Sequence, residues 1–242
     1  MHASAPLYVA GSRRNGYDTA GEITRRMVVF GASAMALAAC TSSRPRLPQL
    51  SAVPPAGAAP GRPINVAAIY ARHVDDGHEI PTINHHRLAP RLWRQRVSAP
   101  KGSAPGTIMI DLRKTQLLWI DQDGTAISYG VGIGAEGFAW SGRGEIGAMA
   151  PWPRWTPPAA MVARFPDLER YWQGMDGGIA NPLGARALYI YQGGRDTLYR
   201  VHGTAEWWSI GRSMSSGCVR MLNQDVIDLY ARVQLGATII VR

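Results

Sequence analysis

From Thr107 onward the sequence reads as short strands divided by turn residues, and no other feature restricts the fold as much. Residues 107–112, 117–121 and 126–133 alternate or run apolar, the pattern of half-buried or fully buried strands. Asp123-Gly124, between the second and third, predicts a tight hairpin because both residues tolerate positive φ. A second hairpin is expected from 188–191 and 198–202 around Gly193-Gly194, and 238–241 supplies a last strand. One helix is expected, with Asn223 as N-cap, Val226, Leu229, Tyr230 and Val233 on one face, and Gly236 beyond its end. The expected class is therefore mainly β with a late α-helix. The stretch from Gly134 to Pro182 is rich in Trp, Gly and Pro and reads as a long loop, a length usually given to lids or binding surfaces.

A histidine ends one of these strands, and a cysteine lies in a small-residue turn downstream: Tyr199-Arg200-Val201-His202-Gly203-Thr204, then Ser215-Ser216-Gly217-Cys218-Val219-Arg220. Folding the turn back onto the strand brings a base and a thiol within reach of each other. A free thiol titrates near pH ~8.5, so a nucleophilic cysteine needs a neighbouring imidazole or oriented backbone N–H groups. His202 is the only histidine beyond His86. Gly217 permits a sharp turn, after which the Gly217 and Cys218 amides are placed to bind an oxyanion, and Arg220 offers a charge for a substrate carboxylate. The alternative is an inert buried cysteine, a common fate of free thiols.

The same residues resemble a known family. His202-Gly203-Thr204 followed by Ser-x-Gly-Cys-Val-Arg-Met looks like the signature of the L,D-transpeptidases, the YkuD-type catalytic domain. The likeness runs back through Val131-Gly132-Ile133-Gly134, Trp152-Pro153-Arg154-Trp155 and Asn181-Pro182-Leu183-Gly184 to about Gly106. Many members carry histidine where this chain has Ser216. The resemblance implies a mixed β-sandwich and peptidoglycan stem peptides as substrate, with Cys218 as nucleophile and His202 as base. No cofactor or metal is called for. It also implies that Ser215 or the Gly203 carbonyl orients the imidazole. Trp140, Trp152 and Trp155 are candidates for a substrate groove, and Arg154 or Arg186 for a carboxylate contact; simple packing of the loop is the alternative. The acyl-enzyme admits several acceptors: a stem-peptide amine gives a cross-link, water an L,D-carboxypeptidase product, a protein lysine a wall-anchored protein. A thiol protease and a non-catalytic wall-binding lipoprotein are the remaining readings.

The N-terminal portion reads as targeting sequence. Arg25-Arg26 precede an apolar run over 27–39 that suits a signal h-region and is too short to span a bilayer. It ends in Leu37-Ala38-Ala39-Cys40, which resembles the lipobox of bacterial lipoproteins. Residues 1–39 are thus expected to be a signal peptide, Cys40 the lipidated residue, 40–65 a Pro/Ala-rich tether, 66–105 a flanking segment and 106–242 the catalytic domain. The paired arginines fit twin-arginine export as well as an ordinary signal. The expected location is the periplasm, on a lipid anchor, with Thr41 favouring the outer membrane. With Cys40 lipidated, Cys218 has no disulfide partner, as these are the only two cysteines.

The formal net charge is +9, but residues 106–242 carry thirteen basic against twelve acidic side chains, so the excess lies outside the catalytic region. That distribution, with no nucleic-acid-binding motif, excludes nucleic acid as partner. His73, His78, His85 and His86 lie without ligand spacing or convergent carboxylates and read as packed or solvated, not metal-binding. A monomer is expected.

Overall fold

The computed structural model describes residues 65–134, 141–214 and 218–242. The signal peptide, Cys40 and most of the tether lie outside the described residues. The described chain opens with α1 (Val66–Ile69), whose Ala68 amide is capped by Asn65 Oδ1 at 3.1 Å. A hairpin of β1 (His73–Asp75) and β2 (His78–Ile80) follows, turning at Asp76 and Gly77 with φ of 50° and 78°. Two positive φ values in a two-residue turn match the twist of the flanking strands, which is why Asp-Gly serves there.

Ten strands form the main sheet: β3 (Gln95–Ser98), β4 (Ile108–Asp111), β5 (Gln116–Ile120), β6 (Thr125–Gly134), β7 (Gly142–Pro151), β8 (Arg186–Gln192), β9 (Arg195–Thr204), β10 (Ser213–Met214), β11 (Val219–Leu222) and β12 (Thr238–Val241). The order is β10-β6-β11-β9-β8-β7-β12-β4-β5, and β5 also pairs with β6, so the path rolls round and closes. Inside the roll sit Ile108, Leu117, Tyr129, Ile133, Leu188 and Met221, with Val226 and Leu229 of helix α3 (Asn223–Arg232), all fully buried. Full burial of each large apolar side chain contributes ~1.5–3 kcal/mol. The fold is mainly β with a late helix.

The sheet departs from the sequence reading in two places. It begins at Gln95, where β3 pairs with β6, so the segment before residue 106 belongs to it. The stretch from Gly134 to Pro182 also contains a ten-residue strand, β7, before the loop that carries α2 (Ala159–Arg164). Gly-Arg-Gly-Glu-Ile-Gly-Ala has little strand propensity, but β7 is paired on both sides, by β8 and β12. Pairing overrides propensity there, and the glycines are what the pairing needs: a Cβ at Gly147 would sit 2.4 Å from the Tyr191 ring.

A second apolar cluster fastens residues 66–93 to the outside of the sheet. Tyr70, Ile83, Leu88 and Leu92 pack with Ile210 and Leu222, so the N-terminal segment braces the loop after β9. A buried polar network adds to it. Arg94 pairs with Asp228 at 2.8 Å, the Tyr129 hydroxyl donates to Asp228 at 2.6 Å, and the Tyr70 hydroxyl donates to Asp225 at 3.1 Å. Both acids are on α3, so the network ties residues 70–94 to the helix.

Asn223 opens α3 but does not cap it. The N-cap position is Leu222, and no side chain caps the helix. Asn223 is buried, and its Oδ1 accepts the Ala185 amide at 2.9 Å. It is spent on a tertiary contact because β9 passes directly beside it: a Cβ at Gly203 would lie 2.2 Å from that oxygen.

Candidate active site

His202 is the eighth residue of β9 and is 5% exposed. Its position on the strand fixes the direction of its ring: β11 pairs in parallel with β9, placing Arg220 opposite His202, and β8 places Ala187 opposite it on the other side. Residues paired in register project from the same face, so His202 and Arg220 share a face. The His202 Nδ1–H donates to the Gly203 carbonyl at 2.7 Å. A carbonyl only accepts, so the proton is on Nδ1 and the Nε2 lone pair is left for a substrate proton.

Burial pushes the His202 pKa down to about 4, opposed by the Gly203 carbonyl and assisted by the Arg220 and Arg200 charges. The imidazole is therefore neutral at pH 7, the form a general base requires.

Cys218 immediately precedes β11, is half-buried and is in no disulfide. Its carbonyl accepts the Gly134 amide at 3.3 Å, extending the β11–β6 ladder by one residue. Val219 pairs with Val201 and Arg220 with His202, so Cys218 lies level with Arg200, two positions from His202 along the neighbouring strand. With strands ~4.8 Å apart and ~3.3 Å of rise per residue, the two Cα atoms are about 8 Å apart, a span that a thiol and an imidazole on one face bridge. Ser215, Ser216 and Gly217 lie outside the described residues, as does Trp140.

The other expected site residues are placed differently. Arg220 is already engaged: its Nη1 lies 2.7 Å from Glu206 Oε2, and its side chain is 17% exposed. Arg186 faces away from His202, since its neighbour Ala187 is the one in register. It forms a paired contact with Asp75, at 2.8 and 2.9 Å, and lies over the Tyr230 ring. An internal carboxylate, supplied by the β1 hairpin, thus engages Arg186. Arg154 is likewise bonded to Asp176 and to the Gln173 carbonyl.

Trp155 pairs through its backbone with Met175 and lies 6.0 Å from the Tyr171 ring. Trp152 is buried, donates from Nε1 to Asp75 at 2.8 Å and stacks on His78. His85 and His86 stack on one another beside Trp93. Among the described residues no group of three or more His, Cys, Asp or Glu converges as metal ligands.

Asn181 had no role in the sequence reading. It is 2% exposed, and its Nδ2 reaches the Pro153, Met175 and Asp176 carbonyls while Oδ1 accepts the Leu183 amide. It fixes the loop that leads to Pro182, whose carbonyl opposes the fall of the His202 pKa. Of the partners of Asn181 only Pro153, 28 positions away, is distant in the chain.

Residues 105–241 match the family model of the YkuD L,D-transpeptidase catalytic domain. The probable L,D-transpeptidase YbiS of Escherichia coli (strain K12) is 36% identical over 120 residues, covering 48% of this chain and 37% of YbiS. The probable L,D-transpeptidase YcfS of the same strain is 32% identical over 93 residues, covering 36% and 27%. The chain thus spans less than half the length of these curated relatives. A crystal structure from Brucella melitensis, described as a probable carnitine operon oxidoreductase caia, is 45% identical, covering 64% of this chain and 96% of that one, with a TM-score of 0.46.

Proposed function

The chain belongs to the YkuD family of L,D-transpeptidase catalytic domains, and on that premise we propose that it cross-links peptidoglycan stem peptides through a thioester on Cys218. One observation carries the proposal: a buried, neutral His202, oriented by the Gly203 carbonyl, lies on the strand beside the one that Cys218 leads into.

In this reading His202 Nε2 takes the thiol proton as Sγ attacks the carbonyl of the L-centred third residue of a donor tetrapeptide. The C–N bond to the terminal D-alanine breaks, and its amine leaves with that proton. The side-chain amine of diaminopimelate on a neighbouring stem then attacks the thioester, its proton passes through Nε2 to the departing sulfur, and a 3-3 cross-link is released. Because burial holds the His202 pKa near 4, the resting imidazole is neutral. The proton moves as the bond to carbon forms, which is general base catalysis. The Gly217 and Cys218 amides hold the oxyanion, and Arg220, paired with Glu206, helps to keep the imidazole neutral. On the lipobox-like Leu37-Ala38-Ala39-Cys40 we also propose that the chain is exported, lipidated at Cys40, tethered through 40–65 and acts as a monomer in the periplasm.

The test is intact mass of the protein after mixing with a disaccharide tetrapeptide. A disaccharide tripeptide adduct on the parent, absent from Cys218→Ala, is expected. Turnover retained by Cys218→Ala would remove the thiol from the mechanism.

A further inference from the structure

Beside the proposed nucleophile the loop after β9 builds a second feature. Trp207 and Trp208 lie edge to face, 6.0 Å apart, and with Leu92, Ile210, Arg87 and Arg212 they line a cleft of about 150 Å³. That is room for one acidic group, with the open Trp208 face beside it to carry a ring, and is well below the ~300–1,000 Å³ of a whole-ligand pocket. Trp208 is 48% exposed although it is among the largest apolar side chains in the chain. Arg87 lies over the Trp207 ring at 5.3 Å, and both it and Arg212 are exposed. Among the described residues neither guanidinium has an ion pair, and the nearby Glu206 is committed to Arg220. Two unneutralised cations beside an open indole fit an anionic ligand with a flat apolar face.

The sheet sets how far this cleft lies from Cys218. The Arg212 carbonyl accepts the Ile133 amide at 2.9 Å, and β10 then runs along one edge of β6. Cys218 accepts from Gly134 on the other edge. Two strand spacings across and two residues of rise along, about 12 Å, separate Cys218 from Arg212 at the edge of the cleft. An extended peptide covers that distance in about three to four residues. If the third residue of a stem is attacked at Cys218, its first residue and the sugar that bears it reach the cleft.

We infer that the Trp207–Trp208 cleft, with Arg87 and Arg212, seats the saccharide end of the donor strand. The sugar ring lies on the Trp208 indole and a carboxylate of the stem lies between the two arginines. This rests on the transpeptidase reading and extends it, since it makes the sugar part of what is recognised.

Binding in the full chain carrying Cys218→Ala, where no turnover intervenes, tests it by calorimetry with a disaccharide tetrapeptide and with the free tetrapeptide. Adding Trp208→Ala is expected to weaken the sugar-bearing ligand about fivefold and to leave the free peptide unchanged, as one ring contact is worth roughly that factor. Arg87→Gln with Arg212→Gln is expected to weaken both. Because Trp208 is half exposed, near-UV circular dichroism and a Trp208→Phe variant that restores most of the affinity exclude misfolding as the cause. Equal weakening of both ligands by Trp208→Ala, or no weakening of either, would overturn the assignment. If sugar discrimination depends on Trp208 but the parent's Cys218 never forms an adduct, the cleft stands and the transpeptidase reading fails. An adduct with no Trp208 effect fails the cleft alone.

Discussion

Asp225→Asn perturbs a group whose surroundings determine both the sign and the size of the effect. The Asp225 carboxyl is fully buried, accepts the Tyr70 hydroxyl at 3.1 Å, and lies 3.4 Å from Arg94 Nε without hydrogen-bond alignment. Burial pushes its pKa up to about 7, with Arg94 pulling it down and Asp228 pushing it up. The folded state therefore holds a proton that the unfolded chain, with a carboxyl near pH 3.8, has lost. Asp225 contributes stability that is fully present below about pH 3.8 and gone once the pH passes 7, a span worth about 4 kcal/mol at ~1.4 kcal/mol per pH unit. His202 does the opposite: lowered to about 4, it contributes stability present above pH 6.5 and lost as pH falls through 4, about 3 kcal/mol. Between pH 4 and 6.5 the folded protein holds the Asp225 proton and the unfolded chain the His202 proton, so the pair's slopes cancel in the parent. Asparagine keeps an acceptor for Tyr70 but cannot titrate. The variant is therefore expected to gain about 4 kcal/mol relative to the parent from pH 4 to pH 7, read from urea unfolding midpoints at unit pH steps with m unchanged. A difference that stays constant across that range would mean that Asp225 is ionised in the fold, and the reasoning would fail.

Three further outcomes follow from named contacts. His202→Ala should slow acylation of Cys218 by about a hundred- to ten-thousand-fold, measured by stopped-flow or quenched mass spectrometry; a near-parent rate would point to another base. The acid limb of acylation should fall near pH 4, where the folded His202 titrates, and a limb near 6.5 would contradict a buried neutral imidazole. Asn223→Ala leaves the buried Ala185 amide without its acceptor and should cost about 1–3 kcal/mol of stability; a loss below about 0.5 kcal/mol in urea unfolding would show that water replaces the side chain.

The strands that alternate or run apolar were legible because their periodicity is local. The Asp123-Gly124 turn, the Gly193-Gly194 hairpin and helix α3 all follow from residues within one element. What escaped depends on partners far along the chain. The β7 sequence becomes a strand because β8 and β12 enclose it, and the three-residue β1 and β2 are too short to show a periodicity of their own. Asn223 has the chemistry of an N-cap, yet a tertiary amide 38 positions away claims its oxygen. At the site, the strand that carries His202 was readable from its apolar alternation. The commitments of Arg186 to Asp75 and Arg220 to Glu206 were not, because a sequence does not show which carboxylate reaches a guanidinium first.

Product analysis tests the central claim most directly. The parent protein and Cys218→Ala are incubated with disaccharide tetrapeptide, and the soluble products are separated and weighed. Cross-linked dimers carrying one fewer D-alanine, formed by the parent and not by the variant, are the predicted result. Tripeptide without dimer would mean that water and not an amine takes the acyl group, and dimers formed by Cys218→Ala would contradict the thioester outright.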